Sequence, residues 1–171
     1  MQYTTLLIDL DETVYPSSSG VWDAISERME QYMHDRLGID WAEIPGMRRS
    51  LYMQYGTTLR GLELTYHVDQ LEYLEYVHAV PLDRLIDPDP DLRAALLRIP
   101  ARKLIFTNAD RNHARRVIER MDLDGCFDGV IDILDIAPYC KPMPESFAIA
   151  LKIAGAAASD CVFIDDSPRA G

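Results

Sequence analysis

The sequence predicts an α/β fold, in which a mostly parallel β-sheet is covered by helices and interrupted after its first strand by an all-helical insertion. Three observations support this prediction. A short apolar run near the N-terminus, residues 6–8 followed by Leu10, is typical of a buried strand. Apolar residues then recur at helical spacing within residues 14–86. Beyond residues 87–90, strand-like and helix-like segments alternate, which is the order that builds a parallel sheet.

Two aspartates follow the first strand. Asp9 ends the apolar run, and Asp11 comes two residues later, with Thr13 behind it. Burying two carboxylates without partners is costly, so neither is expected to be a core residue. Ligands of open α/β sheets bind at the carboxyl ends of the strands. We therefore expect a ligand site around Asp9 and Asp11.

Helical periodicity in the insertion predicts three helices. The first spans residues 21–37 and ends at Gly38, because glycine readily adopts the left-handed conformation of a helix C-cap. The second spans residues 41–55, and the third spans residues 69–78. Residues 56–65 are rich in Gly and Thr and are predicted to form a loop.

The pattern changes at residues 87–90. The two prolines in this Asp-Pro-Asp-Pro sequence cannot lie within one regular element, so they mark a boundary. Helices and strands are predicted to alternate after it: helix 92–99, strand 102–107, helix 111–121, strand 129–133, helix 144–154 and strand 161–164. We expect residues 1–13 and 87–171 to form the α/β core, and residues 14–86 to form a helical cap over the carboxyl edge of the sheet.

The composition argues against nucleic acid and anionic membranes as binding partners. The chain has 171 residues, of which 48% are hydrophobic and 26% charged, as in ordinary globular proteins. A formal net charge of −11 opposes binding to nucleic acid or to an anionic membrane surface. A small anionic substrate stays possible, because a lysine and a divalent cation can reverse the charge inside one pocket. With no visible signal peptide, no apolar run of membrane-spanning length and three cysteines without metal-ligand spacing, we expect a cytoplasmic protein.

Polar residues that suit phosphate and metal chemistry stand near the carboxyl ends of the predicted strands. They are Asp9 and Asp11 after the first strand, Thr107 and Asn108 after the second, Lys141 in a Lys-Pro-Met-Pro sequence, and Asp165 and Asp166 after the last. Each motif alone has an ordinary structural explanation, such as a turn or a helix cap. Their joint occurrence in this order resembles the four motifs of the haloacid dehalogenase superfamily of phosphotransferases.

The resemblance implies a Rossmann-like core with an inserted helical cap, and an activity that transfers phosphoryl groups. A phosphoester needs an in-line nucleophile, a proton donor for the leaving alkoxide, and positive charge on the phosphoryl oxygens. Asp9 is the expected nucleophile, and Asp11 is the expected general acid and base. The dehalogenases of the superfamily lack this second aspartate, because a halide leaves without a proton. Asp11 therefore favours a phosphatase or a phosphomutase.

Three further motif residues are expected to bind the phosphoryl group. The Thr107 hydroxyl and the Asn108 amide are expected to donate hydrogen bonds to it, and Lys141 is expected to add a compact positive charge. The histidines show no metal-ligand spacing and are all interpreted as structural: His34, His67, His78 and His113.

The resemblance also implies a Mg²⁺ cofactor. Mg²⁺ prefers hard oxygen ligands. By the family pattern it is held by the side chains of Asp9 and Asp166 and by the main-chain carbonyl of Asp11, while Asp165 acts through water.

The sequence of the cap narrows the expected substrate. Five stretches resemble the pyrimidine 5′-nucleotidase branch of the superfamily: residues 9–16, 54–62, 76–78, 106–110 and 113–114. This implies hydrolysis of nucleoside monophosphates such as UMP or CMP, with Tyr55 stacking on the base and Arg60 reaching the phosphate or a base carbonyl. Two alternatives stay open: a sugar-phosphate phosphatase or phosphomutase of the same superfamily, and a non-catalytic protein that binds a phosphorylated ligand.

The family pattern continues beyond the fourth motif with the rest of a helix and one more strand, whereas this sequence stops at Gly171. We therefore expect the C-terminal edge strand to be missing from this sequence, which is either a fragment of a longer chain or a protein that manages without that strand. An unpaired strand edge can pair with another chain. The expected oligomeric state is a monomer, or a homodimer formed through that edge.

Overall fold

The computed structural model describes residues 3–167, which form two compact units. The core unit consists of residues 3–19 and 81–167, and the helical unit is Gly20–Val80. In chain order the regular elements are β1 (Thr5–Ile8), α1 (Val21–Leu37), α2 (Ile44–Tyr55), α3 (Thr58–Tyr66), α4 (Gln70–Val77), α5 (Pro90–Arg98), β2 (Arg102–Phe106), α6 (Arg111–Arg120), β3 (Gly129–Ile131), α7 (Pro144–Ala154) and β4 (Cys161–Ile164). No helix among the described residues is both long enough and apolar enough to span a lipid bilayer.

The core unit is built on a parallel sheet with the strand order β3-β2-β1-β4. In the middle of the sheet Leu7 of β1 pairs with Leu104 of β2 on one side and with Phe163 of β4 on the other. All four residues of β1 are buried, which explains why this strand reads as a continuous apolar run. Because every pairing is parallel, the carboxyl ends of the four strands lie at one edge of the sheet.

An aromatic cluster joins α7 to the sheet. The ring of Phe147 meets Phe106 and Phe163 edge-on, with centroids 5.4 and 5.2 Å away. Edge-to-face pairs at such distances add to the stability that burial alone provides. The α/β fold class predicted from the sequence is confirmed, and α1, α7 and β4 have the predicted bounds.

One predicted loop is wrong, since residues 58–66 form α3. The Thr57 hydroxyl accepts a hydrogen bond from the Arg60 backbone N–H at 3.1 Å and so caps the first turn. Gly61 does not end this helix but lets it approach α2, because a Cβ at this position would lie 2.6 Å from Leu51 Cδ2. The glycine and threonines therefore serve as a packing contact and a helix cap, which composition alone does not distinguish from loop chemistry.

We expect Gly61→Ala to destabilise the protein by about 1–3 kcal/mol, because the new methyl group overlaps Leu51 and forces the two helices apart. The gain in helix propensity, about 1 kcal/mol, opposes this loss without cancelling it. Gly46→Ala in α2 is the matched control, since nothing lies within 4 Å of its Cβ position. Urea denaturation measures both variants. A Gly61→Ala protein as stable as Gly46→Ala would contradict the proposed close contact.

The expectation of a missing edge strand concerns the chain beyond Ser167, which lies outside the described residues.

Candidate active site

The first residues beyond β1 and β2 are held by the sheet itself. The Asp9 backbone N–H donates to the carbonyl of Ile164 at 2.8 Å, and the Thr107 N–H donates to the carbonyl of Ile131 at 3.0 Å. Asp165 directly follows β4. The ladder hydrogen bonds thus continue one residue past the ends of β1 and β2. They fix the backbone of these polar residues at the carboxyl edge, where ligands of open sheets bind.

Lys141 is buried between two carboxylates. Its Nζ donates to Asp9 Oδ1 at 2.5 Å and to Asp165 Oδ2 at 2.8 Å. The ammonium also lies 5.4 Å from the ring centroid of Phe106 and 5.3 Å from that of Phe163. Charge-assisted hydrogen bonds of this kind are the strong ones in a buried setting. The lysine therefore links the residue after β1 to the residue after β4.

Asn108 holds the backbone that carries this lysine. Its Nδ2 donates to the Lys141 carbonyl at 3.0 Å, and its Oδ1 accepts from the Lys141 N–H at 2.8 Å. The sequence predicts that the Asn108 amide donates to the phosphoryl group, and that role stays a prediction. The contacts in the structure show a different task, which is to position Lys141.

Thr107 is almost fully buried at 1% exposure. Its hydroxyl oxygen accepts a hydrogen bond from the Ala109 N–H at 2.9 Å. Because the oxygen acts as an acceptor here, the hydroxyl proton can be donated to a ligand. The donor role expected for Thr107 stays a prediction.

Asp9 is a buried carboxylate with an altered acidity. Burial raises the pKa of Asp9 to about 6 from its usual 3.8, even though the charge of Lys141 pulls it down. The Thr13 hydroxyl donates to Asp9 Oδ2 at 3.3 Å and accepts from the Asp166 N–H at 3.2 Å. Above about pH 6 the carboxylate is ionised, poorly hydrated and held on both oxygens, as a nucleophile requires.

Three carboxylates converge beside Lys141. Asp9, Asp165 and Asp166 each offer an oxygen, and these oxygens lie within 4.8 Å of one another. Three carboxylates against one ammonium leave a negative site whose all-oxygen donor set suits Mg²⁺. Both oxygens of Asp165 already accept hydrogen bonds, from Lys141 and from the Ser167 N–H at 2.8 Å, whereas Asp166 is exposed. The donor set therefore fits a magnesium ion, with Asp166 better suited than Asp165 to direct contact.

The side chain of Asp11 has two partners of its own. Its Oδ1 accepts a hydrogen bond from the Tyr15 hydroxyl at 2.5 Å and lies 2.8 Å from His113 Nε2. Both partners are buried, with 2% of Tyr15 and 1% of His113 exposed. Burial, reinforced by the charge of Asp11, raises the pKa of Tyr15, so its hydroxyl stays protonated and donates.

His113, interpreted as structural from the sequence, thus contacts a candidate catalytic residue, and its role stays a prediction. This residue lies in the first turn of α6, where the Asp110 carboxylate accepts from its backbone N–H at 3.0 Å. The signal in the sequence was its position, six residues after Thr107 in the helix that follows β2. A helix that begins at the carboxyl edge of a sheet brings its first turn to the ligand site.

Tyr55 and Arg60 lie in the helical unit. Tyr55 is the last residue of α2, and Arg60 is in α3; both are half-buried. Their contacts with a substrate stay predictions.

Comparison with known proteins identifies the class to which this fold and site belong. Residues 3–171 match the family model described as haloacid dehalogenase-like hydrolase. The chain therefore belongs to the haloacid dehalogenase-like hydrolases. A curated relative, Phosphate metabolism protein 8 of Saccharomyces cerevisiae, is 29% identical over 174 residues, covering 93% of this chain and 54% of the yeast protein. The chain thus spans about half the length of this relative.

Solved structures share the fold. The magnesium-bound putative hydrolase YfnB of Bacillus subtilis has a TM-score of 0.62 at 20% identity, covering 99% of this chain and 82% of that one. A putative β-phosphoglucomutase of Thermotoga maritima has a TM-score of 0.58 at 19% identity, covering 99% and 78%. The L-2-haloacid dehalogenase of Xanthobacter autotrophicus has a TM-score of 0.57 at 20% identity, covering 95% and 69%. At these identities the likeness establishes the α/β core and not the substrate.

Proposed function

We propose that the protein is a magnesium-dependent phosphomonoester hydrolase that acts through an aspartyl-phosphate on Asp9. The observation that carries this proposal is the pairing of the buried Asp9 with Lys141, next to Asp165 and Asp166. A nucleophilic carboxylate, a fixed positive charge and an all-oxygen metal site are the groups that phosphoryl transfer requires.

The proposed reaction proceeds by two successive displacements at phosphorus. Asp9 forms a bond to phosphorus while the bond from phosphorus to the ester oxygen breaks, and Asp11 gives its proton to the leaving oxygen. Asp11 then takes a proton from water, whose oxygen attacks phosphorus and releases Asp9 and inorganic phosphate. Lys141 and Thr107 bind the phosphoryl oxygens during both steps. Asn108 supports them by holding the backbone of Lys141.

Asp9 and Asp166 are the residues that would hold Mg²⁺ by their carboxylates, with the Asp11 carbonyl as a further ligand and Asp165 acting through water. The ion supplies positive charge for the phosphoryl oxygens. Lys141 donates to both Asp9 and Asp165 and so keeps these two carboxylates close to each other.

Asp11 favours a phosphatase over a dehalogenase within the family. An alkoxide leaves with a proton and a halide leaves without one, so only the first reaction needs a general acid. Asp11 has two buried partners, which supports a specific role for its side chain.

We propose a nucleoside 5′-monophosphate with a pyrimidine base as the substrate. The support is the resemblance of residues 54–62 to the pyrimidine 5′-nucleotidases, with Tyr55 and Arg60 as the candidate contacts. Aromatic stacking and a guanidinium are suited to a planar base and an anionic phosphate.

Phosphate release from UMP, CMP, AMP and glucose 6-phosphate, each with Mg²⁺ and with EDTA, tests this proposal. We expect turnover that requires Mg²⁺ and a kcat/KM for UMP or CMP at least about tenfold above that for AMP, a difference of about 1.4 kcal/mol. Preference for glucose 6-phosphate would support phosphoester hydrolysis but contradict the proposed pyrimidine nucleotide substrate. Turnover at full rate in EDTA would contradict the proposed requirement for Mg²⁺. Phosphate release from none of the four esters would contradict the proposed phosphatase activity.

A further inference from the structure

We propose that His113 and Tyr15 are positioning residues that hold the Asp11 carboxylate in the orientation needed to protonate the leaving group. This inference rests on the proposed phosphomonoesterase function and adds two residues to it. Neither belongs to the four sequence motifs, and neither is expected to touch the phosphoryl group.

Two donors converge on the same oxygen of Asp11. The Tyr15 hydroxyl lies 2.5 Å and His113 Nε2 lies 2.8 Å from Oδ1. An ionised carboxylate only accepts hydrogen bonds, so the histidine contributes an N–H at Nε2. A carboxylate oxygen has two lone pairs, and these two donors use both.

Both donors are buried, and local hydrogen bonds hold the backbone around each of them. Each is at most 2% exposed, whereas 16% of the Asp11 side chain is exposed. His113 sits in the capped first turn of α6, and Tyr15 follows a turn in which the Val14 N–H donates to the Leu10 carbonyl at 2.9 Å. If Asp11 rotated away, two buried donors would lose an acceptor, which is unfavourable. The buried pair thus fixes the partly exposed carboxylate, and not the reverse.

A general acid acts only when its proton meets the departing oxygen. General acid–base catalysis typically contributes about 10²–10⁴-fold to a rate, and a misplacement of about 1 Å can remove about 10²-fold. Loss of one of the two donors should therefore slow steps that need proton transfer and spare steps that do not. A purely structural histidine would affect both kinds of substrate equally.

The test compares an alkyl phosphate with p-nitrophenyl phosphate, whose nitrophenolate leaves without a proton. The alkyl phosphate is UMP or glucose 6-phosphate, whichever the wild type hydrolyses faster. The quantity measured is kcat/KM, which reports the steps up to departure of the leaving group. The variants are His113→Leu, His113→Gln and Tyr15→Phe. The control is Val117→Ala, a buried position one turn further along α6 that loses packing but has no hydrogen bond to Asp11.

We expect His113→Leu to lose about 30- to 100-fold on the alkyl phosphate and less than about threefold on p-nitrophenyl phosphate. Tyr15→Phe should show the same selectivity with a loss of about tenfold. His113→Gln, which retains an N–H donor at similar reach, should recover to within about fivefold of wild type. Val117→Ala should change kcat/KM for the two substrates by the same factor.

Equal losses on both substrates in His113→Leu and Tyr15→Phe would overturn the positioning role while leaving the phosphatase intact. A His113→Gln protein as impaired as His113→Leu would also overturn that role. A wild type that hydrolyses neither ester overturns the proposed function and this inference together, so the two failures are distinguishable.

Discussion

Replacing Asp9 by asparagine lowers kcat/KM for phosphate release by at least about 10⁴-fold, because the covalent nucleophile is lost. Asparagine has nearly the same shape, and its oxygen can still accept from Lys141, so the site stays assembled. The measurement is phosphate release in Mg²⁺ from the best ester of the substrate panel.

Stability distinguishes this loss of activity from unfolding. The folded-state pKa of Asp9, about 6, lies above its usual 3.8, so ionisation of Asp9 opposes folding as the pH rises through this interval. Asparagine removes that unfavourable ionisation. Metal-free Asp9→Asn at about pH 8 should therefore melt at or above the temperature of wild type.

Asp91→Asn is the matched control, since it makes the same chemical change at an exposed position in the first turn of α5. It should retain wild-type turnover. An Asp9→Asn protein with more than about a tenth of wild-type activity would contradict Asp9 as the nucleophile.

Replacing Lys141 by methionine should lower kcat/KM by roughly 10²–10³-fold, because the positive charge for the phosphoryl oxygens is lost. Methionine keeps an unbranched apolar chain against Phe106 and Phe163, so packing changes little. Lys152→Met, an exposed position in the last turn of α7, is the matched control and should retain wild-type activity.

The same substitution should make stability depend on pH. Without the lysine, Asp9 loses the partner that opposes the effect of burial, so its pKa rises above 6. A folded-state pKa above the unfolded value means that stability is retained at low pH and lost as the pH rises. Metal-free Lys141→Met should therefore be destabilised by about 3 kcal/mol at about pH 8 and by clearly less at about pH 5. Equal destabilisation at both pH values in urea denaturation would contradict the buried ion pair.

The sheet could be predicted from sequence because its strands are short and mostly apolar, and because β1, β2 and β4 are each followed by a polar motif. The helices with clear caps were also predictable, as Gly38 and Pro144 show at the end of α1 and the start of α7. α3 was not, since its threonine cap and the close contact at Gly61 have the composition of a loop. Gly61 and Leu51 come into contact only in the folded chain, so no local sequence pattern predicts their contact.

The candidate site likewise has some features that were predictable from sequence and others that were not. Residues within the four motifs were found because their spacing is local and their order along the chain is distinctive. The contact between His113 and Asp11 could not be predicted, because the two residues are 102 apart in sequence. Asn108 was found, but its contact with the Lys141 backbone follows from the approach of two loops, and no sequence pattern encodes that approach.

The central claim is the covalent intermediate on Asp9, and its most direct test is a single turnover with an ester radiolabelled in its phosphate group. Quenching in acid at successive times traps any phosphorylated protein. We predict that label on the protein appears and then disappears before free phosphate reaches its final amount. Hydroxylamine should release this label, as it does from an acyl phosphate. The label should map to the peptide that contains Asp9. Asp9→Asn should take up no label. Label on another residue, or complete turnover by a protein that stays unlabelled at every time sampled, would contradict this account.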